Sequence, residues 1–142
     1  VADALRDPGN LGTLLRSCAA ADVDGVLLSP GTVDAYNPKV VRAAMGAHFR
    51  LPVRETDWAE IADRVGSRPV YVADQNSATS YDEVDWTQPA ALIIGSEAAG
   101  VSAEALNIAT MRLSIPLARG VESLNAAVAA SIIVFEARRQ RR

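Results

Sequence analysis

The sequence predicts an α/β fold: a mostly parallel sheet flanked by helices. Three observations predict it. Short apolar runs alternate with helical patterns through nearly all 142 residues. Several of the helical patterns open on recognisable start signals. Composition, at 49% hydrophobic and 22% charged, fits one globular core with no linker, repeat or low-complexity segment. A single domain over residues 1–142 is therefore expected.

The first run, Val1–Leu5, reads as a strand. Next comes "DPGNLGTLLRSCAAA", a helix over Asn10–Ala21 whose Leu11, Leu14, Leu15, Cys18 and Ala19 recur at the spacing of one buried face. Asn10 is a good N-cap, able to accept from Gly12 or Thr13. Gly12 leaves room for Arg16 to lean back over the preceding turn. Free N–H groups, the helix dipole and an arginine then converge on one point, which suits an anion. A capped helix with a solvated arginine is the plainer alternative.

The strand Gly25–Ser29 follows, then a helix over Pro38–Met45 with proline at its first position. Phe49–Val53 reads as a strand, and Asp57 starts a helix over Trp58–Val65. The strand Pro69–Asp74 leads into Gln75–Pro89, which carries no clear element. Ala91–Gly95 is a buried strand, and Ser102 caps a helix over Ala103–Ala109. The strand Met111–Ile115 precedes a long helix over Leu124–Arg139, for which Ser123 is the natural N-cap. Its body, "AAVAASIIVF", is apolar nearly all round, so it is either a central core helix or part of a subunit interface.

Composition narrows the function classes. No apolar run approaches the roughly 20 residues of a membrane span, and no signal peptide is expected before the first element. Cys18 is the only cysteine, so no internal disulfide forms and a reducing, cytoplasmic compartment is expected. The net charge of −3 argues against a large nucleic-acid footprint on this stretch. The chain starts at Val1 within an apparent strand, and its first methionine is Met45, so an upstream segment is expected.

In parallel α/β folds ligands bind beyond the C-terminal ends of the strands. Three strand-to-helix junctions there are unusual: "DPGNLGTLLR", "ALIIGSEAAGVS" and "IPLARGVESLNAAVA". The second contains Gly95 and Gly100, which allow close backbone approach, and one charge, Glu97. Neither the dinucleotide G-x-G-x-x-G nor a P-loop is present. The third carries Arg119, Gly120, Ser123 and Asn125.

Together these junctions resemble motifs 1, 2 and 3 of the SpoU/TrmH family of RNA ribose 2′-O-methyltransferases, and "NPKVVRAAMGAHFRLPV" is similar to the family's middle segment. The resemblance covers nearly the whole chain, in order. It implies a deep C-terminal trefoil knot, S-adenosyl-L-methionine as cofactor, no metal, and a homodimer with active sites at its interface. It implies an RNA substrate, ribosomal more than transfer RNA, and an RNA-binding domain upstream. By match to motif, Asn10, Arg16, Glu97, Ser123 and Asn125 form the catalytic set. Gly95, Gly100, Ile115, Ser123 and Leu124 line the cofactor. The resemblance implies Arg16 as the base, acting with the substrate phosphate, or as a residue that only positions that phosphate, the safer role because a guanidinium is hard to deprotonate. Ala127 departs from the family, where many relatives have a second serine. His48 is read as structural. The alternative function is a catalytically silent domain that binds RNA or a partner.

Overall fold

The computed structural model describes residues 1–142 and has the expected α/β architecture. The strands are β1 (Val26–Leu28), β2 (Val53–Glu55), β3 (Val70–Ala73), β4 (Ala91–Ile93) and β5 (Met111–Leu113). The helices are α1 (Pro8–Ala20), α2 (Pro38–Ala44), α3 (Trp58–Val65), α4 (Ala103–Ile108) and α5 (Ala126–Gln140), with a 3₁₀ turn at Ala47–Phe49. Every strand pair is parallel: β1 with β2, and β3 with both β4 and β5.

The expected strand Val1–Leu5 is much shorter in the structure, yet it is central. Ala2 donates to the Leu27 carbonyl (2.9 Å), and its own carbonyl accepts from Ser29 N (3.0 Å). On its other side Asp3 N donates to Ile94 O (2.8 Å), and Ile94 N to Val1 O (3.0 Å). Residues 1–3 thus join β2-β1 to β4-β3-β5 as one parallel sheet. Ala4, at φ 51°, ends the pairing by turning the chain away.

Two layers of helix cover this sheet. Leu11, Leu14, Leu15 and Cys18 of α1 bury against Val40 and Ala44 of α2, Val26 and Leu28 of β1, and Ala126, Ala127 and Ala130 of α5. On the opposite face Ile61 and Val65 of α3 and Ala105 of α4 pack on Val70, Val72 and Ile93. The stretch Gln75–Pro89 has no helix or strand but supplies Val84 and Trp86 to a third cluster with Tyr71, Leu113 and Ile133. Trp86 is anchored by its indole N–H to Tyr81 O (2.8 Å) and meets the Tyr71 ring edge-on at 4.9 Å.

Several expected boundaries move, each for a local reason. Helix α1 begins at Pro8, not Asn10: a proline needs no amide partner at the first helical position. Asp7 is its N-cap, accepting from Asn10 N at 2.7 Å. Phe49–Val53 is not a strand. Met45 (φ 49°) and Gly46 (φ 84°) close α2 in the left-handed region, a 3₁₀ turn follows, and pairing resumes only at Val53. Helix α5 starts two residues late because Asn125, not Ser123, caps it. Asn125 Oδ1 accepts from Ala127 N (3.0 Å) and Val128 N (3.2 Å).

Candidate active site

The three junctions meet beyond the C-terminal ends of the strands. With Asp7 as cap, Asn10 lies inside the first turn of α1 and its amide side chain is free to reach outward. Asn10 Nδ2 donates to Glu97 Oε1 (3.1 Å), and Asn10 Oδ1 accepts from Asn125 Nδ2 (2.8 Å). The same Glu97 oxygen accepts from Ala126 N at the start of α5 (3.0 Å). Asn10, Glu97 and the entry of α5 therefore close a ring of hydrogen bonds linking residues up to 115 positions apart in the chain. Each Asn uses both ends of its amide, so the ring fixes their orientation. Asn10, expected as the cap of α1, instead connects Glu97 to Asn125, and Asn125, not Ser123, caps α5 while donating to Asn10.

The loop carrying Glu97 is shaped by glycine. Ser96 and Gly100 exchange backbone bonds (Ser96 N to Gly100 O, 2.9 Å; Gly100 N to Ser96 O, 2.8 Å), and Gly100 sits at φ 69°. A Cβ on Gly95 would lie 2.4 Å from the Gly100 carbonyl carbon and oxygen. Only glycine lets the strand end pass so close to its own returning loop.

This loop forms one wall of a cavity of about 330 Å³. Gly95, Glu97, Gly100, Ile115, Ser123 and Leu124 all line it, with Val101, Leu113 and Leu117 as further apolar surface and Asp74–Asn76 at the end of β3. Its charged residues are Asp74 and Glu97, and no lysine or arginine faces it. Such a cavity suits an apolar ring with a positive charge better than a polyphosphate.

Asp3 was missed in the sequence. It is 1% exposed, its Oδ1 accepts from Ser29 Oγ (2.9 Å), and its Oδ2 accepts from Ser102 N (2.6 Å) at the cap of α4. It ties the central strand to the end of the glycine loop. An acid inside the apolar run "VADAL" was the available signal, because a buried carboxylate must be paired.

Not every expected residue joins the ring. Arg16 is exposed and enters no hydrogen bond or ion pair. Ser123 is exposed at the rim of the cavity, without a hydrogen bond. Gly12 does not make room for Arg16. A Cβ there would meet Ala43 Cβ at 2.5 Å and Val40 O at 2.7 Å, so the glycine lets α1 and α2 touch. The anion site expected at the start of α1 is also partly filled by this chain's own Asp7 carboxylate. His48 is structural as expected, its Nε2 bonded to Ala35 O at 2.7 Å. Burial pushes the Cys18 thiol up to about 11, so it is inert at neutral pH.

A larger cavity, about 690 Å³, opens at the other end of the sheet beside Cys18, Val26 and Ile133. Three of its five arginines are engaged with carbonyls, Arg68 with Arg64 and Val65, Arg138 with Ala20, and Arg141 with Trp86 and Gln88, and Arg64 pairs with the Glu60 carboxylate. It has none of the polar convergence of the first site.

A family model described as the SpoU rRNA Methylase family matches residues 1–135. The chain is 44% identical to the 23S rRNA (guanosine(2553)-2′-O)-methyltransferase of Bacillus subtilis, over 96% of this chain and 56% of that protein. It is 40% identical to the mitochondrial rRNA methyltransferase 3 of Homo sapiens, over 100% of this chain and 46% of that one. The crystal structure of the SpoU methyltransferase AviRb from Streptomyces viridochromogenes in complex with AdoMet superposes with a TM-score of 0.93, at 34% identity, covering 99% of this chain and 56% of that one. The chain spans about half the length of the curated relatives it matches.

Proposed function

This chain belongs to the SpoU rRNA methylase family, and we propose that it transfers a methyl group from S-adenosylmethionine to a ribose 2′-hydroxyl of ribosomal RNA. The observation that carries this reading is the hydrogen-bonded ring of Asn10, Glu97 and Asn125 beside a cavity that no lysine or arginine lines. The Bacillus subtilis relative is named for 2′-O-methylation of a guanosine in 23S rRNA, and the human relative for methylation of rRNA.

The residues present fit the cofactor. Ile115, Leu117 and Leu124 offer apolar surface for a nucleobase, the glycine loop offers backbone groups, and Asp74 and Glu97 supply negative charge. When bound, S-adenosylmethionine supplies a methyl group activated by a sulfonium. Glu97 braces the glycine loop against α1 and α5, so the cavity wall and the polar ring move as one unit. Asn10 and Asn125 are held by each other and form a polar edge for the incoming ribose. Arg16, exposed and unpaired, grips the phosphodiester next to that ribose and offsets negative charge developing on the attacking oxygen. Ser123 closes the rim of the cavity.

The same proposal includes the trefoil knot, a homodimer and a cytoplasmic location for this protein, although the human relative is named mitochondrial. Helix α5 supports the dimer: one face is core, while Val128 and Phe135 on the other are 44% and 46% exposed.

The test is transfer of labelled methyl from S-adenosylmethionine to ribosomal RNA by the full-length protein, followed by alkaline hydrolysis. A 2′-O-methyl group blocks cleavage at its own nucleotide, so label retained in an alkali-resistant dinucleotide is the expected result. Label released as mononucleotide, or no incorporation, would refute the reading.

A further inference from the structure

We propose that the exposed face running from Tyr36 along α2 to Arg50 docks single-stranded RNA flanking the modified nucleotide; this deepens, and rests on, the methyltransferase reading. Tyr36, Met45 and Phe49 are the chain's three most exposed large apolar residues, at 68%, 70% and 94%. They fall within fifteen residues of sequence. Lys39, Arg42 and Arg50 are exposed among them and form no ion pair. No acidic residue lies between Tyr36 and Arg50, on a chain whose net charge is −3.

Aromatic rings interleaved with cations are what single-stranded RNA needs: bases stack on the rings and phosphates pair with the charges. The Tyr36 ring is also held in place. It lies 5.3 Å from the His48 ring, which is itself fixed by the bond from Nε2 to Ala35 O. The Gly12 contact sets α2 directly against the first turns of α1, so the helix that presents this face packs on the helix that carries Asn10 and Arg16. Charge argues against a second copy of this chain as the occupant. A two-fold contact through this face would set the same unpaired cations opposite one another.

The experiment uses the full-length protein and two fluorescent probes, a single-stranded oligoadenylate and an oligouridylate of equal length, titrated by anisotropy over a range of salt. Wild type is expected to bind both, the adenylate more tightly because it stacks better. Phe49→Ala is expected to weaken binding about tenfold. Lys39→Ala and Arg42→Ala should each reduce the salt slope by about 0.7. All three variants should keep wild-type unfolding midpoints and S-adenosylmethionine affinity. The proposal is overturned if the variants match wild type in affinity and slope, or if they dissociate a dimer in light scattering, which would assign the face to a second copy. It is also overturned if wild type binds neither probe. Methyl transfer reports separately on the enzyme reading. Active wild type with unaffected variants removes only this surface, whereas inactive wild type with weakened variants removes only the enzyme.

Discussion

Replacing Gly95 with alanine tests whether the cavity depends on the tight glycine loop. The added Cβ would sit 2.4 Å from Gly100 C and O and 2.6 Å from Val101 N. All three are backbone atoms, so no rotamer change relieves the clash and the loop must swing outward. That movement breaks the two backbone bonds between Ser96 and Gly100. At about 1 kcal/mol each, holding the loop closed for ligand then costs about 2 kcal/mol more. The corresponding loss of S-adenosylmethionine affinity is roughly thirtyfold. Residues 97–100 are exposed and contribute nothing to the buried clusters, so the unfolding midpoint should stay near wild type. Calorimetric titration of the cofactor beside thermal unfolding measures both. A Gly95→Ala protein that binds cofactor like wild type would show that the wall is not built by this contact. One that unfolds at low temperature would move Gly95 from the site to the core.

Four further outcomes follow from particular contacts. Arg16→Ala should abolish methyl transfer while leaving cofactor affinity and unfolding unchanged, because the side chain is exposed and unpaired; turnover near wild type would remove Arg16 from the mechanism. Leu15→Ala, at a position with 0% exposure, should cost about 2–5 kcal/mol in denaturant unfolding. Ile133→Asp should unfold the protein, since Ile133 is fully buried against Tyr71, Trp86 and Leu113, whereas Phe135→Asp should yield folded monomers in light scattering. Glu136 is held near a pKa of about 2, below its ordinary 4.5, by hydrogen bonds from Arg139 and Gln140. A depressed carboxylate stabilises the fold above its unfolded pKa, so that contribution should fade as pH falls from about 4.5 toward 2; Glu136→Gln should lack this part of the acid transition in chemical denaturation.

The periodic features of the fold were legible because periodicity is local. Leu11, Leu14, Leu15 and Cys18 are buried as their spacing requires, and Asp57 and Ser102 cap the helices that follow them. Two of the differences fall where competing caps lie within three residues. Asp7 and Asn10 are both good caps, and Pro8 decides between them; Ser123 and Asn125 are both possible, and the partners of Asn125 decide. Gly12 was read as space for a side chain on its own helix, when the atoms it admits belong to another helix thirty residues on. The site was visible as three unusual junctions. Its closure was not: the bonds among Asn10, Glu97 and Asn125 are long-range, and no local pattern encodes which oxygen accepts from which amide. The apolar run around Asp3 marks it as a buried acid, but its partners Ser29 and Ser102, which make the burial tolerable, lie 26 and 99 residues away, beyond any local pattern.

The seam at residues 1–3 bears on how the molecule is built in time. Ala2 pairs with β1 across about twenty-five residues, but its other edge waits for Ile94, and Asp3 waits for Ser102. In a chain made from its N-terminus, residues 1–3 therefore precede the other strands of this sheet yet end inside it, and they stay half-paired until Ile94 has been synthesised. Until then their free edge is open to any other strand. Closing it brings together distant segments in one step, the kind of contact that slows folding most. Because Asp3 also anchors the loop beside the cavity, the same late step that zips the sheet finishes the binding wall, so that a molecule arrested before it would have sound helices and no site.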